Sequence, residues 1–151
     1  MSKLNLNKTW NYAAATESTH HILLKEKYDL FINGEFVKSN SKKYFDTINP
    51  ATDEVIAKIS EANKKDIDFA VKSAKIAFRS WSKLKAKERG KYIFRIARMI
   101  QERAKEFAVI ESMDGGKPIR ESRDVDIPLA ANHFFYYAGW ADKLGYAFPN
   151  K

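Results

Sequence analysis

Apolar residues recur along this chain at two different spacings, and the change falls near Asn63. Before it they come in short runs broken by turn-forming residues; after it they return every three or four positions. The clearest short signal is Tyr28 to Ile32, then Asn33-Gly34, then Glu35 to Val37. Asn-Gly supplies the two positive φ angles of a type I′ turn, so this stretch predicts a β-hairpin. A second strand pair is expected around Asn49-Pro50-Ala51-Thr52, with Tyr44 to Ile48 before the turn and Val55 to Ile59 after it. Residues 1–27 show no period and are expected to form an extended arm, with a helical turn near His21 to Lys25.

Helical spacing begins at Asn63, whose side chain can accept a backbone N–H, with Asp66 three residues later to complete a cap. Ile67, Ala70, Val71, Ala74, Phe78 and Trp81 then form one apolar stripe. A second, longer helix is expected from about Lys87 to Met113, with Ile93, Ile96, Ala97, Ile100, Ala104, Phe107 and Ala108 on one face. Gly115-Gly116 ends it and Pro118 forbids its continuation. A third helical region covers about Ile119 to Tyr146, and Pro128 must kink it or start a new helix. The cluster Phe134 to Tyr137 with Trp140 puts apolar area on more than one face, so this helix requires neighbours on several sides. The pattern is α+β: N-terminal β-hairpins followed by three mainly helical segments.

Composition narrows the function classes. The 151 residues are 44% hydrophobic, enough to bury a core. The apolar runs fall short of the roughly 18 residues a membrane span needs, and the first 27 residues lack a signal-peptide core, so a cytoplasmic location without membrane association is expected. The net charge of +8 raises nucleic-acid binding as a possibility. Basic residues from Arg79 to Lys105 are spread among apolar positions with Glu88 and Glu102, however, as on solvated helix faces, and no arginine-rich run appears, so no nucleic-acid partner is expected. The chain has no cysteine, which removes disulfides, thiolate ligands and thiol catalysis.

Few residues offer chemistry by themselves. His20 and His21 are adjacent and point apart, which disfavours a shared metal. His133 lies seven residues after Asp126 but is read as a packed or hydrogen-bonded residue, and Tyr136 with Trp140 as core or interface packing rather than a stacking platform. Gly115-Gly116-Lys117 lacks the preceding strand and glycine spacing of a phosphate loop. No Ser-His-acid motif is present. Catalytic and cofactor-binding residues are therefore expected to be absent from this chain.

Five short stretches in fixed order carry a resemblance: Phe31-Ile32-Asn33-Gly34-Glu35-Phe36, Asn49-Pro50-Ala51-Thr52, Glu88-Arg89-Gly90, Asp114-Gly115-Gly116-Lys117-Pro118 and Tyr136-Tyr137-Ala138-Gly139-Trp140-Ala141. In this order the chain resembles the aldehyde dehydrogenase superfamily from about Tyr28 to Lys143. Arg120 to Ala131 resembles a bacterial branch related to the two-module dehydrogenases. At Asp53 the family's turn usually carries glycine; Asp tolerates left-handed geometry, so the turn is expected to survive.

The resemblance implies an α/β parent fold, with residues 28–151 forming the N-terminal part of its cofactor-binding domain before the Rossmann core. It also implies NAD or NADP as cofactor and a cysteine nucleophile, both expected beyond Lys151. Asp114 and the backbone of Ile48 match a monovalent-cation site of several members; the alternative is that Asp114 only bonds local amides at a helix end. Val125 and Leu129 match the apolar substrate entrance, with plain packing as the alternative. The expectation is an N-terminal fragment of an NAD(P)-dependent aldehyde dehydrogenase, inactive alone. A second expectation, of a different class, is an interaction module that docks on a separately encoded catalytic remainder, with self-association through exposed apolar helix faces as a further route.

Overall fold

The computed structural model describes residue 15 and residues 17–149. Most of the expected N-terminal arm lies outside the described residues. Its helical turn is a single 3-10 turn at Thr19–His21, slightly earlier than the pattern placed it.

Among the described residues five strands form two small sheets. Strands β2 (Leu30–Ile32) and β3 (Glu35–Val37) make the expected hairpin, in register Leu30 to Val37 and Ile32 to Glu35. Asn33 and Gly34 have φ of 58° and 85°, the double positive φ that the Asn-Gly pair provides. Tyr28 belongs to a different sheet from the hairpin it was grouped with. It ends β1 (Lys27–Tyr28), which pairs in parallel with β5 (Val55–Ser60), and β4 (Tyr44–Ile48) pairs with β5 antiparallel. Between β4 and β5, Asn49 accepts the N–H groups of Thr52 and Asp53 at 3.2 and 2.9 Å. Asp53 takes the left-handed conformation with φ 57°, so the glycine-free turn closes.

Helix α1 (Lys64–Trp81) starts with the capping box read from Asn63 and Asp66. Asp66 does more than cap. It is buried, and it accepts the Ser39 hydroxyl at 2.7 Å, the Asn40 side-chain amide at 2.7 Å and the Asn40 backbone N–H at 3.0 Å. One carboxylate therefore joins the β3–β4 connection to the start of α1. These hydrogen bonds hold its pKa well below the usual carboxylate range, the Asn63 N–H contributing most, then the Asn40 N–H and side chain; burial opposes them.

The expected second helix divides in two. Helix α2 (Ala86–Glu102) and helix α3 (Ala104–Gly115) meet at Arg103, whose φ of −106° and ψ of 20° leave the helical region. Its guanidinium reaches Glu106 in the first turn of α3 at 2.8 and 2.5 Å. Continuous periodicity hid the break because alanine and charged residues on both sides favour helix equally. The third helical region breaks just before Pro128, which stands in the first turn of a new helix, one of the two outcomes expected of it. A single turn, α4 (Ile119–Glu121), runs into a π-helical turn at Ser122–Asp126, then α5 (Ile127–Trp140) and α6 (Leu144–Ala147). Pro128 lies in the first turn of α5, a position that tolerates its fixed φ and missing N–H.

Helix α2 packs on α5 at close range, where a Cβ on Gly90 would lie 2.9 Å from the Ala138 carbonyl oxygen. The best-buried positions of the helical layer are small: Ala97, Ala108, Ala131 and Ser122. Small side chains let helices approach closely, and Phe94 against Phe135, with ring centroids 5.0 Å apart, fills the flank of the α2–α5 contact. Among the described residues no helix is long and apolar enough to cross a membrane.

Candidate functional site

The end of α3 and the β4–β5 turn meet in one corner. Gly116 closes α3 in the left-handed conformation, φ 68°, and its N–H bonds the Ser112 carbonyl at 3.1 Å. A Cβ at Gly116 would lie 2.7 Å from Pro50 Cγ, so the absence of a side chain is what lets the turn ring press on the helix end. Asp114 thereby reaches strand β4, where the Thr47 hydroxyl donates to its Oδ1. Ile48 is the next residue, at the point where the β4–β5 register shifts. The resemblance pairs Asp114 with Ile48, whereas the side chain that meets Asp114 is Thr47, whose signal in the sequence is only a hydroxyl near a strand end.

Beside this corner a cavity of about 420 Å³ is lined by Tyr28, Phe45, Thr47, Ile56, Met113 and Asp114, among others. Its walls are mostly apolar, the polar side chains being Tyr28, Thr47 and Asp114. The last turn of α3 also presents carbonyl groups without helical partners, the negative end of the helix dipole. Carboxylate plus carbonyls suits a hard, weakly charged cation. A pyrophosphate is not suited to it. Gly115-Gly116-Lys117 ends a helix rather than opening one, so it offers carbonyls where an anion needs N–H donors. Lys117 is engaged as well, in an ion pair with Asp126 whose hydrogen bond raises the lysine pKa. This corner therefore does not fit the pyrophosphate of a dinucleotide.

Asp126 is committed to Lys117 rather than to His133, and His133 is exposed. Val125, in the π turn, and Leu129, one turn later in α5, are 54% and 49% exposed. The pair forms an apolar step that nothing in the described chain covers. Trp140 is half-buried, with its ring centroid 6.2 Å from that of Tyr136, while Tyr136 and Tyr137 remain exposed. Among the described residues no group of three or more His, Cys, Asp or Glu is placed to hold a metal ion.

The family model described as the aldehyde dehydrogenase family matches residues 36–150. The chain is 42% identical over 134 residues to aldehyde dehydrogenase family 2 member B4, mitochondrial, of Arabidopsis thaliana, covering 87% of this chain and 25% of that protein. It is 45% identical over 116 residues to an aldehyde dehydrogenase of Alternaria alternata, covering 76% of this chain and 23% of that one. Among solved structures, the NAD+ complex of the Bacillus cereus aldehyde dehydrogenase superposes with a TM-score of 0.74 at 42% identity, over 79% of this chain and 26% of that one. The chain thus spans about a quarter of the length of the relatives it matches. The match runs from strand β3 through helix α6, and the chain belongs to the aldehyde dehydrogenase family.

Proposed function

We propose that this chain is the N-terminal part of an NAD(P)-dependent aldehyde dehydrogenase, an enzyme that oxidises an aldehyde to a carboxylic acid, and that it supplies scaffold rather than catalytic groups. The observation that carries the reading is the combination of a family fold matched at a TM-score of 0.74 to an NAD+ complex with a sequence that holds no cysteine. Covalent aldehyde oxidation needs a thiolate, donors for its oxyanion and a bound nicotinamide. The described residues provide none of these, so turnover requires additional polypeptide. In this reading residues 28–151 belong to the cofactor-binding domain, and the protein is cytoplasmic with no nucleic-acid partner.

Two sites complete the proposal. Asp114, with the backbone at Ile48, holds a monovalent cation that ties α3 to β4. Val125 and Leu129 line the way in for the aldehyde. The test is aldehyde-dependent NAD(P)H formation followed by absorbance, with the chain alone and with the chain joined to the last three quarters of a relative. Silence alone and turnover when joined are expected; turnover by the chain alone would sink the proposal. In the joined protein Leu129→Trp should raise the KM for aldehyde with less effect on that for NAD, and an unchanged KM would remove Leu129 from the entrance.

A second reading is an interaction module that docks on a separately encoded remainder. The uncovered apolar surface of α1 favours it, and the joined and separate forms of the assay distinguish the two: only a docking module restores turnover when the remainder is added as a separate polypeptide.

A further inference from the structure

The π turn at Ser122–Asp126 is tied down at both ends. Its width shows in the Ile127 N–H, which bonds the Ser122 carbonyl five residues back rather than four. At its start Ser122 is completely buried, with its hydroxyl 3.1 Å from that of Ser112 on α3. At its end Asp126 pairs with Lys117, the neighbour of the left-handed Gly116 that closes α3. Arg123, inside the turn, engages Asp124 at 2.6 Å and Glu17 of the N-terminal arm at 3.2 Å.

Between these ties Val125 is the turn's one apolar residue. More than half of it is exposed, so the backbone of the turn sets its direction more than close packing does. Leu129 follows four residues later in α5, where ordinary helical spacing resumes. In an unbroken α-helix two residues four apart share a face. A π turn closes one residue later, so how Val125 stands to Leu129 depends on the turn staying wide. The Lys117 and Asp126 side chains are 37% and 33% exposed, and an ion pair as open as this adds little to stability. Its consequence is geometric: it fastens the residue next to Val125 to the cap of α3, against which Pro50 presses.

We propose that Lys117 and Asp126 are positioning residues for the aldehyde: their ion pair keeps the π turn wide and so holds Val125 beside Leu129, where both meet the far end of an apolar substrate. The inference rests on the proposed function, in which Val125 and Leu129 line the entrance. The two charges satisfy each other and act only through Val125. An aldehyde long enough to reach from the reacting carbon to the entrance, such as hexanal, feels a displaced Val125; acetaldehyde is too short to do so.

Two measurements test this. In the chain itself, Lys117→Met should speed deuterium exchange at the amides of residues 122–127 by about tenfold, and Lys117→Arg, which restores the pair, should return it toward the wild-type rate. Exchange unchanged by Lys117→Met overturns the tie. In the protein joined to the last three quarters of the Bacillus cereus relative, Lys117→Met and Asp126→Asn should each raise the KM for hexanal about threefold or more relative to that for acetaldehyde. A fall in kcat shared equally by both aldehydes, with their KM ratio unmoved, would mark a merely structural pair and overturn the proposal while leaving the proposed function standing. In a Val125→Ala background Lys117→Met should shift the ratio no further, because the side chain it positions is already cut back; additive effects also overturn it. A joined protein without aldehyde turnover brings down the proposed function and the selection role together, and the exchange rates alone then decide whether the tie exists.

Discussion

Asp66 shows how one side chain can join segments far apart in sequence. Its carboxylate is satisfied from Asn63, Ser39 and Asn40, all of which donate to it and so favour the ionised form. A folded-state pKa depressed in this way adds stability that is fully present above the unfolded value, about 4, and is lost as pH falls through the lower folded value. Urea midpoints measured from neutral pH down to about pH 2 should therefore fall less steeply in Asp66→Asn than in the wild type. Parallel curves would show that the cluster has no part in acid sensitivity. Gly116 is a second such point. Alanine there combines a left-handed φ with a Cβ 2.7 Å from Pro50, so Gly116→Ala should cost about 2–4 kcal/mol in chemical denaturation. Gly34→Ala has a positive φ but open space around it, and should cost only about 1–2 kcal/mol. Equal costs would mean that the turn ring does not press on the helix end.

At the scale of elements, the α2–α5 contact decides the helical layer. In an exposed helix Gly90→Ala would gain about 1 kcal/mol of propensity. Here the new methyl meets the Ala138 backbone oxygen at 2.9 Å and Ala141 Cβ at 3.2 Å, and a backbone carbonyl cannot swing aside as a side chain does. Overpacking of about 1–3 kcal/mol should outweigh the propensity gain, giving a lower thermal midpoint. A raised midpoint would show that the two helices separate easily. The elements were legible to different degrees. The Asn33-Gly34 turn, the Asn63–Asp66 cap and the Gly116 stop are local chemistry, and each appears where the sequence put it. The break at Arg103 and the π turn at Ser122–Asp126 were not legible, because both redirect helices toward partners distant in sequence.

For the whole molecule, the balance of covered and uncovered surface matters most. Phe78, Tyr136, Tyr137, Tyr146 and Phe148 are between 59% and 89% exposed, far from the scattered single residues of an ordinary surface. The chain alone should bind a hydrophobic dye such as ANS strongly and unfold over a broad temperature range, and the joined protein should lose the dye signal. A sharp unfolding transition without dye binding would show that the chain is an independent module.

By itself the sequence determined the turns, caps and helical stripes, since each depends on residues within a few positions of one another. Its ordered motifs also specified the family. Tertiary structure alone decided that Thr47 meets Asp114, that Pro50 fills the place of a Gly116 side chain, and that Asp66 serves Ser39 and Asn40 as well as its own helix. It alone decided that the stripe of α1 faces outward. Periodicity reports which side of a helix is apolar, whereas what lies against that side depends on contacts between distant segments, which no local pattern encodes.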